Sequence, residues 1–124
     1  GRKGADRLVD LEGKDMALRR REKKAIELFK ASLAERLPDE KVGLLLFGSK
    51  ARGDNRRGSD IDLMVLLNHG TEEVTRSVYD VLTRTQLETD VYLSLKPITR
   101  RIFASWKRDR TPFVCNVLKD AVAV

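Results

Sequence analysis

The sequence predicts a single α+β domain in which helices pack on a small mixed β-sheet. The chain has 124 residues, of which 41% are hydrophobic and 35% charged, which suits one modest core. Two short apolar runs, residues 42–47 and 61–67, have the length of buried strands, and apolar residues recur at helical spacing on both sides of them. If the end of the first strand and the acidic residues at the starts of the second and third strands share one ligand, the sheet must contain one antiparallel and one parallel pair of strands.

The N-terminal part is predicted to be a loose basic arm, residues 1–14, with the folded domain at residues 15–124. From Asp15 the pattern is helical, and Pro38 is expected to end this helix. One apolar stripe supports the helix and consists of Ile26, Phe29, Leu33 and Leu37.

The second half alternates between strand and helix patterns. Thr71 suits a helix N-cap, and the helix is expected to reach Gln86. Residues 90–95 alternate as a third strand, and Pro97 is predicted to open a helix in which Ile98, Ile102 and Trp106 form a core stripe. Thr111 and Pro112 suit the start of a last helix.

The most informative segment is Gly48-Ser49 followed, ten residues later, by Asp60-Ile61-Asp62. Asp60 and Asp62 are two apart at a strand start, so both side chains leave the same face. Two adjacent carboxylates repel unless a cation lies between them, and oxygen ligands favour Mg²⁺ or Mn²⁺. The segment therefore predicts a divalent metal site.

The residues between the two strands predict a phosphate site beside this metal site. Gly48 lets the backbone approach a ligand, and Ser49 adds a hydroxyl and an N–H. A helical turn at residues 49–53 would direct free N–H groups at an anion, and Arg52 adds positive charge. Ser59, directly before Asp60, is included among the predicted nucleotide-binding residues.

The sheet topology follows if these groups share one ligand. The end of the first strand must then lie near the start of the second, which makes the two antiparallel. Asp90 can join Asp60 and Asp62 only if the second and third strands are parallel, with the helix from Thr71 as the crossover.

The segment GSKARGDNRRGSDIDLMVLL resembles the signature of the DNA polymerase β nucleotidyltransferase superfamily, and the small size is similar to its minimal nucleotidyltransferases. The resemblance covers about residues 15–124 and implies the polymerase β-like nucleotidyltransferase fold. By this resemblance Gly48 and Ser49 would hold the phosphates of ATP. Asp60 and Asp62 would bind two Mg²⁺ ions, and Asp90 would complete the metal site and help deprotonate the attacking hydroxyl.

Members of this group resemble antitoxins whose partner is a HEPN-domain toxin. The resemblance implies a protein adenylyltransferase that attaches AMP to a tyrosine of that toxin (AMPylation). Three alternatives stay open: an aminoglycoside-type antibiotic nucleotidyltransferase, an antitoxin that acts by binding alone, and a nucleic-acid-binding module. The last rests on basic segments at residues 1–41 and 96–110, although aromatics make up only 6% of the chain and do not interleave with them.

Composition limits the remaining classes. The net charge of +6 favours anionic partners, and the one cysteine, Cys115, excludes an internal disulfide. No apolar run approaches the length of a membrane span, so a cytoplasmic location and no membrane partner are expected. His69 is interpreted as a loop residue, and Cys115 and Trp106 as core residues.

Overall fold

The computed structural model describes residues 8–9, 15–16, 18–48, 51 and 61–124. In chain order the elements are β1 (Leu8–Val9), β2 (Asp15–Met16), α1 (Arg20–Arg36), a 3₁₀ turn (Pro38–Glu40), β3 (Gly43–Phe47), β4 (Ile61–Leu67), α2 (Glu72–Thr89), β5 (Leu93–Thr99), α3 (Arg100–Arg108), α4 (Pro112–Asp120) and β6 (Val122–Ala123). No helix in these described ranges is long and apolar enough to cross a membrane.

The main sheet is mixed, as the sequence predicts. Its strand order is β5-β4-β3-β6, with β3 antiparallel to β4 and β4 parallel to β5. The helix α2 provides the crossover that a parallel pair needs. The short strand β6, which the sequence analysis did not predict, pairs antiparallel with β3.

The core lies in two layers, one on each face of this sheet. The first contains α1 and α2, with Phe29 and Leu33 packed against Leu63. The second contains α3 and α4, with Phe103 and Val114 packed against Met64. Side chains alternate between the faces of a strand. Asp62 therefore shares the second face with Met64, and this alternation places the candidate site on the side of α3 and α4.

The N-terminal helix starts later than predicted. It begins at Arg20 rather than near Asp15, because the Glu22 side chain accepts the backbone N–H of Arg19 at 2.8 Å and caps the first turn. Residues 15–16 pair instead with residues 8–9. The division of the chain at residue 14 stays a prediction, and the stop at Pro38 is confirmed.

The prediction that Pro97 opens a helix is wrong. Pro97 lies inside β5, at the edge of the described sheet, where a residue without an N–H is tolerated. The helix α3 begins at Arg100, and Thr99 caps it by accepting the N–H of Ile102 at 3.2 Å. Because Ile98 belongs to the strand, the predicted stripe is not continuous on one helix.

Two residues of the C-terminal part that were predicted to lie in the core, Trp106 and Cys115, are exposed instead. Phe103 is the buried residue of α3, whereas Ile102 is 46% and Trp106 36% exposed. Cys115, predicted to be a buried hydrophobic residue, is exposed on α4. The start of α4 at Pro112, with Thr111 as its N-cap residue, is confirmed.

A buried carboxylate organises the end of β4 that is remote from Asp62. Glu40 is 4% exposed and accepts the backbone N–H groups of Asn68 at 2.9 Å and His69 at 2.8 Å. The Nδ1 of His69, which lies in a loop as predicted, is 2.5 Å from Glu40 Oε2. Burial raises the pKa of Glu40, but the hydrogen bonds and charge of His69 and the N–H of Asn68 outweigh it. The pKa therefore lies below its ordinary value of 4.5.

We expect Glu40→Gln to lower the free energy of unfolding by about 1–3 kcal/mol, because the buried N–H groups lose a charged acceptor. Since folding depresses the pKa of Glu40, its contribution is present above pH 4.5 and is lost as the pH falls below that value. Urea unfolding across acidic pH measures both effects. The exposed neighbour Asp39 supplies the control Asp39→Asn, and equal stabilities for the two variants would contradict the prediction.

Candidate active site

Gly48 and Asp62 lie against each other where β3 ends and β4 begins. The register pairs Phe47 with Asp62, so the chain leaves β3 beside the Asp62 side chain. Gly48 has a φ of 80°, a conformation that residues with a Cβ rarely adopt. A Cβ placed on Gly48 would lie 2.5 Å from Asp62 Oδ2. The Asp62 carboxylate can therefore occupy this position only because residue 48 has no side chain.

Asp62 is half-buried at the start of a strand. On its other side the parallel register pairs it with Ser94 of β5. Acids are depleted in strands, so a half-buried carboxylate beside buried apolar residues suits a functional role better than solubility.

Part of the predicted site lies outside the described residues. Ser49, Arg52, Ser59 and Asp60 belong to this part, and their roles stay predictions. Between them Ala51 is helical and fully buried.

Asp90 lies at the C-terminus of α2 and not in a strand, contrary to the predicted strand start. The helix extends to Thr89, and Asp90 follows it with a φ of 58° and donates its N–H to the Gln86 carbonyl at 2.9 Å. Aspartate tolerates this left-handed conformation better than most residues. The strand β5 therefore begins at Leu93.

The described contacts of Asp90 are with α1. Arg21 donates to the Asp90 carbonyl at 3.0 Å, and its guanidinium is 3.9 Å from the Asp90 carboxylate, whose side chain is 85% exposed. An exposed pair of this kind contributes about 1 kcal/mol or less. The role of Asp90 in the metal site stays a prediction.

The described part of the site fits an oxygen-ligated cation. Asp62 offers a carboxylate, the ligand that Mg²⁺ prefers, and Gly48 itself places no side chain against it. The residues that the structure describes hold no group of three or more acidic, histidine or cysteine side chains able to bind a metal. Asp60, which directly precedes β4, is the predicted further ligand.

The family model of the nucleotidyltransferase domain matches residues 26–120, which include β3, β4 and β5 and the Gly48–Asp62 contact. The chain belongs to the nucleotidyltransferase domain family. This membership and the mixed sheet confirm the α+β nucleotidyltransferase fold predicted from the GS and DID motifs.

Two solved structures resemble this nucleotidyltransferase domain. One is a crystal structure of the toxin–antitoxin MntA–HpeT with the mutation Y104A, with a TM-score of 0.50 and 21% identity over 83% of this chain and 70% of that chain. The other is a putative nucleotidyltransferase from Sulfolobus solfataricus, with a TM-score of 0.41 and 21% identity over 82% of each chain. The comparison with curated proteins gives no match.

Sequence reasoning did not find Glu40. A glutamate between Pro38 and a strand has the pattern of a surface turn, and only the fold shows that Asn68 and His69 enclose it. The nucleotidyltransferase signature itself was found because its residues are close in sequence.

Proposed function

We propose that this nucleotidyltransferase domain transfers AMP from ATP to a tyrosine hydroxyl of a partner protein, as the antitoxin of a toxin–antitoxin pair with a HEPN-domain toxin. The observation that carries the proposal is the contact of Gly48 with the Asp62 carboxylate in a chain of this family. The resemblance to the MntA–HpeT toxin–antitoxin structure supports the choice of a protein partner.

In the proposed reaction the tyrosine oxygen forms a bond to the α-phosphorus of ATP. The bond from that phosphorus to the oxygen bridging to the β-phosphate breaks, and pyrophosphate leaves. Asp90 accepts the phenolic proton. The described Asp90 contacts Arg21 of α1, in the layer opposite to α3 and α4, so this role requires its carboxylate to leave Arg21 and turn toward Asp62. Breaking the pair costs little, because both side chains are mostly exposed and 3.9 Å apart.

Gly48, Ser49, Arg52 and Ser59 bind the nucleotide in this proposal. Asp60, Asp62 and Asp90 hold Mg²⁺, or Mn²⁺ in its place. When bound, the two ions neutralise charge on the phosphates and lower the pKa of the attacking hydroxyl. Holding the hydroxyl in line with the leaving pyrophosphate is most of the catalysis in this class of reaction.

An antitoxin that acts by binding alone is the second candidate. The observation in its favour is that Asp90 ends a helix and contacts Arg21 rather than beginning a strand.

The two candidates are separated by incubating the protein with labelled ATP, Mg²⁺ and the product of the neighbouring gene. Label on that partner, absent with a chelator, supports transfer. A stable complex that silences the partner without label supports binding alone.

Ser49→Ala and Asp90→Asn are expected to differ in kinetics. Ser49 would contact the phosphates before and during reaction, so its loss should mainly raise the KM for ATP, by about tenfold or less. Asp90 would act on the nucleophile, so Asp90→Asn should lower kcat by about 10²–10⁴. Asparagine also accepts a positive φ, which keeps the end of α2 folded.

Steady-state rates at saturating partner protein measure both effects. A normal kcat for Asp90→Asn would make Asp90 a structural helix cap and leave activation of the hydroxyl to metal or solvent.

A further inference from the structure

A cleft of about 510 Å³ lies at the edge of the sheet beside β5, α3 and α4, and it reaches the end of β4 and the first turn of α2. Its floor includes Met64, which is fully buried, and its walls include Ile98, Ile102, Trp106 and Phe113. Three of these wall residues are large apolar side chains that are 36–46% exposed, namely Ile102, Trp106 and Phe113. Exposed apolar groups gathered in one concave surface are typical of a binding site.

The cleft begins two residues from the candidate active site and extends away from it. Met64 follows Asp62 by two residues on the same strand face, a distance of roughly 7 Å along the strand. The rest of the cleft lies toward Leu67 and Thr99, at the ends of β4 and β5 that are remote from Asp62. A row of aromatic rings lies between Asp62 and the cleft: Phe47, opposite Asp62, packs edge to face on Phe113, and Phe113 packs in the same way on Trp106, each at 6.2 Å between ring centres. An acceptor segment bound in the cleft therefore has to extend past Met64 to present a hydroxyl near Asp62.

The surroundings of the cleft are cationic. Among the lining residues that the structure describes, only Lys96 is charged. Residues 96–110, which form most of its wall, contain six basic residues and one acid, Asp109. Arg100 is bound to Asn68 and to the Lys41 carbonyl. The other basic side chains are exposed and consist of Lys96, Arg101, Lys107, Arg108 and Arg110.

We propose that this cleft docks an acidic segment of the acceptor protein, with a tyrosine, phenylalanine or leucine side chain inserted beside Ile102 and Trp106. The inference rests on the proposed transfer to a protein and names the surface that holds this acceptor. An apolar centre with a charged rim is the anatomy of protein–protein interfaces.

The same charges argue against other occupants. A second copy of this chain would bring one cationic rim against another, and the chain carries a net charge of +6. Nucleic acid requires cations where its phosphates lie, whereas the described lining of this cleft is uncharged except for Lys96.

The test uses Trp106, the single tryptophan of the chain, as a fluorescent reporter within the cleft. The full chain, without ATP or Mg²⁺, is titrated with synthetic peptides of Glu and Asp around one Tyr, Phe or Leu, and with matched peptides carrying Lys instead of the acids. We expect the acidic peptides to change the Trp106 emission, more weakly at high salt, and the Lys peptides not to.

Two cleft variants and one control locate the binding. Ile102→Asp places a negative charge in the wall and should weaken peptide binding by about tenfold or more. The double variant Arg101→Glu, Arg108→Glu changes two exposed charges of α3 and should also weaken peptide binding, so the cleft can still be tested if Ile102→Asp does not fold. Leu87→Asp is the control, because Leu87 is 82% exposed on α2, in the other layer.

The proposal is overturned if no acidic peptide binds, if the Lys peptides bind equally well, or if ATP or a single-stranded oligonucleotide is preferred at Trp106. The proposal is also overturned if the cleft variants fold and bind the acidic peptides with unchanged affinity. Peptide binding without any transfer of AMP would refute the proposed function and keep the docking site. If Ile102→Asp transfers AMP to the partner as fast as the unmodified chain, the docking site is refuted and the proposed function is kept.

Discussion

Asp62→Asn should slow transfer of AMP by about a thousandfold or more. The carboxylate is the described ligand of the proposed Mg²⁺ site, and the metal supplies several kcal/mol of transition-state stabilisation, each 1.4 kcal/mol of which is a factor of about ten in rate. An amide keeps the shape of the side chain but lacks the charge. The rate of AMP incorporation at saturating ATP and Mg²⁺ measures the loss.

The variant should stay folded, because asparagine keeps the size and shape of the side chain and Asp62 is only half-buried. Thermal unfolding should give a cooperative transition with a Tm close to that of the unmodified chain. Asp80→Asn is the matched control, since Asp80 is an exposed acid on α2 that pairs with Arg36 at 3.3 Å, outside the candidate site. A rate for Asp62→Asn close to that of Asp80→Asn would contradict the assignment of Asp62 as a metal ligand.

Gly48→Ala should reduce both stability and activity. A Cβ at this position lies 2.5 Å from Asp62 Oδ2, and the φ of 80° is unfavourable for alanine. The backbone alone costs about 1–2 kcal/mol of unfolding free energy. If the clash is relieved by moving the carboxylate by about 1 Å, the rate of transfer should fall by about a hundredfold.

Gly43→Ala separates the two effects. A Cβ on Gly43 lies 3.2 Å from Arg100 Nη2, but this glycine begins β3, at the end of the strand opposite to Gly48, and is not among the described residues of positive φ. We expect Gly43→Ala to lose some stability and to keep its activity. If Gly48→Ala transfers AMP at the normal rate in its folded fraction, the contact with Asp62 does not position the carboxylate.

The sequence by itself determined the family and the mixed sheet, and it predicted the central site residues. The GS and DID motifs lie within fifteen residues of one another, one directly after β3 and the other at the start of β4. For this reason their spacing alone predicts that the end of β3 faces the start of β4. The parallel pairing of β4 and β5 followed from the same chemistry, because a helix pattern of sufficient length separates them.

Only the tertiary structure decided where α2 ends and where β5 gives way to α3. Asp90 alternates with apolar residues as a strand would, yet the hydrogen bond to Gln86 and the contact with Arg21 of α1 keep it at the end of α2. Pro97 has the pattern of a helix start, but its place at the sheet edge lets it stay in β5. Local propensity is weak beside such contacts between distant segments.

The cleft and the buried Glu40 likewise depend on distant contacts. Ile102 and Trp106 have the spacing of a core stripe, and they line an open cleft because α3 begins three residues after Pro97 and turns Phe103 into the core instead. Glu40 is buried because Asn68 and His69, which are 28 and 29 residues away in the chain, donate to it. Periodicity indicates which residues share a face, whereas packing between separate elements determines which face is covered.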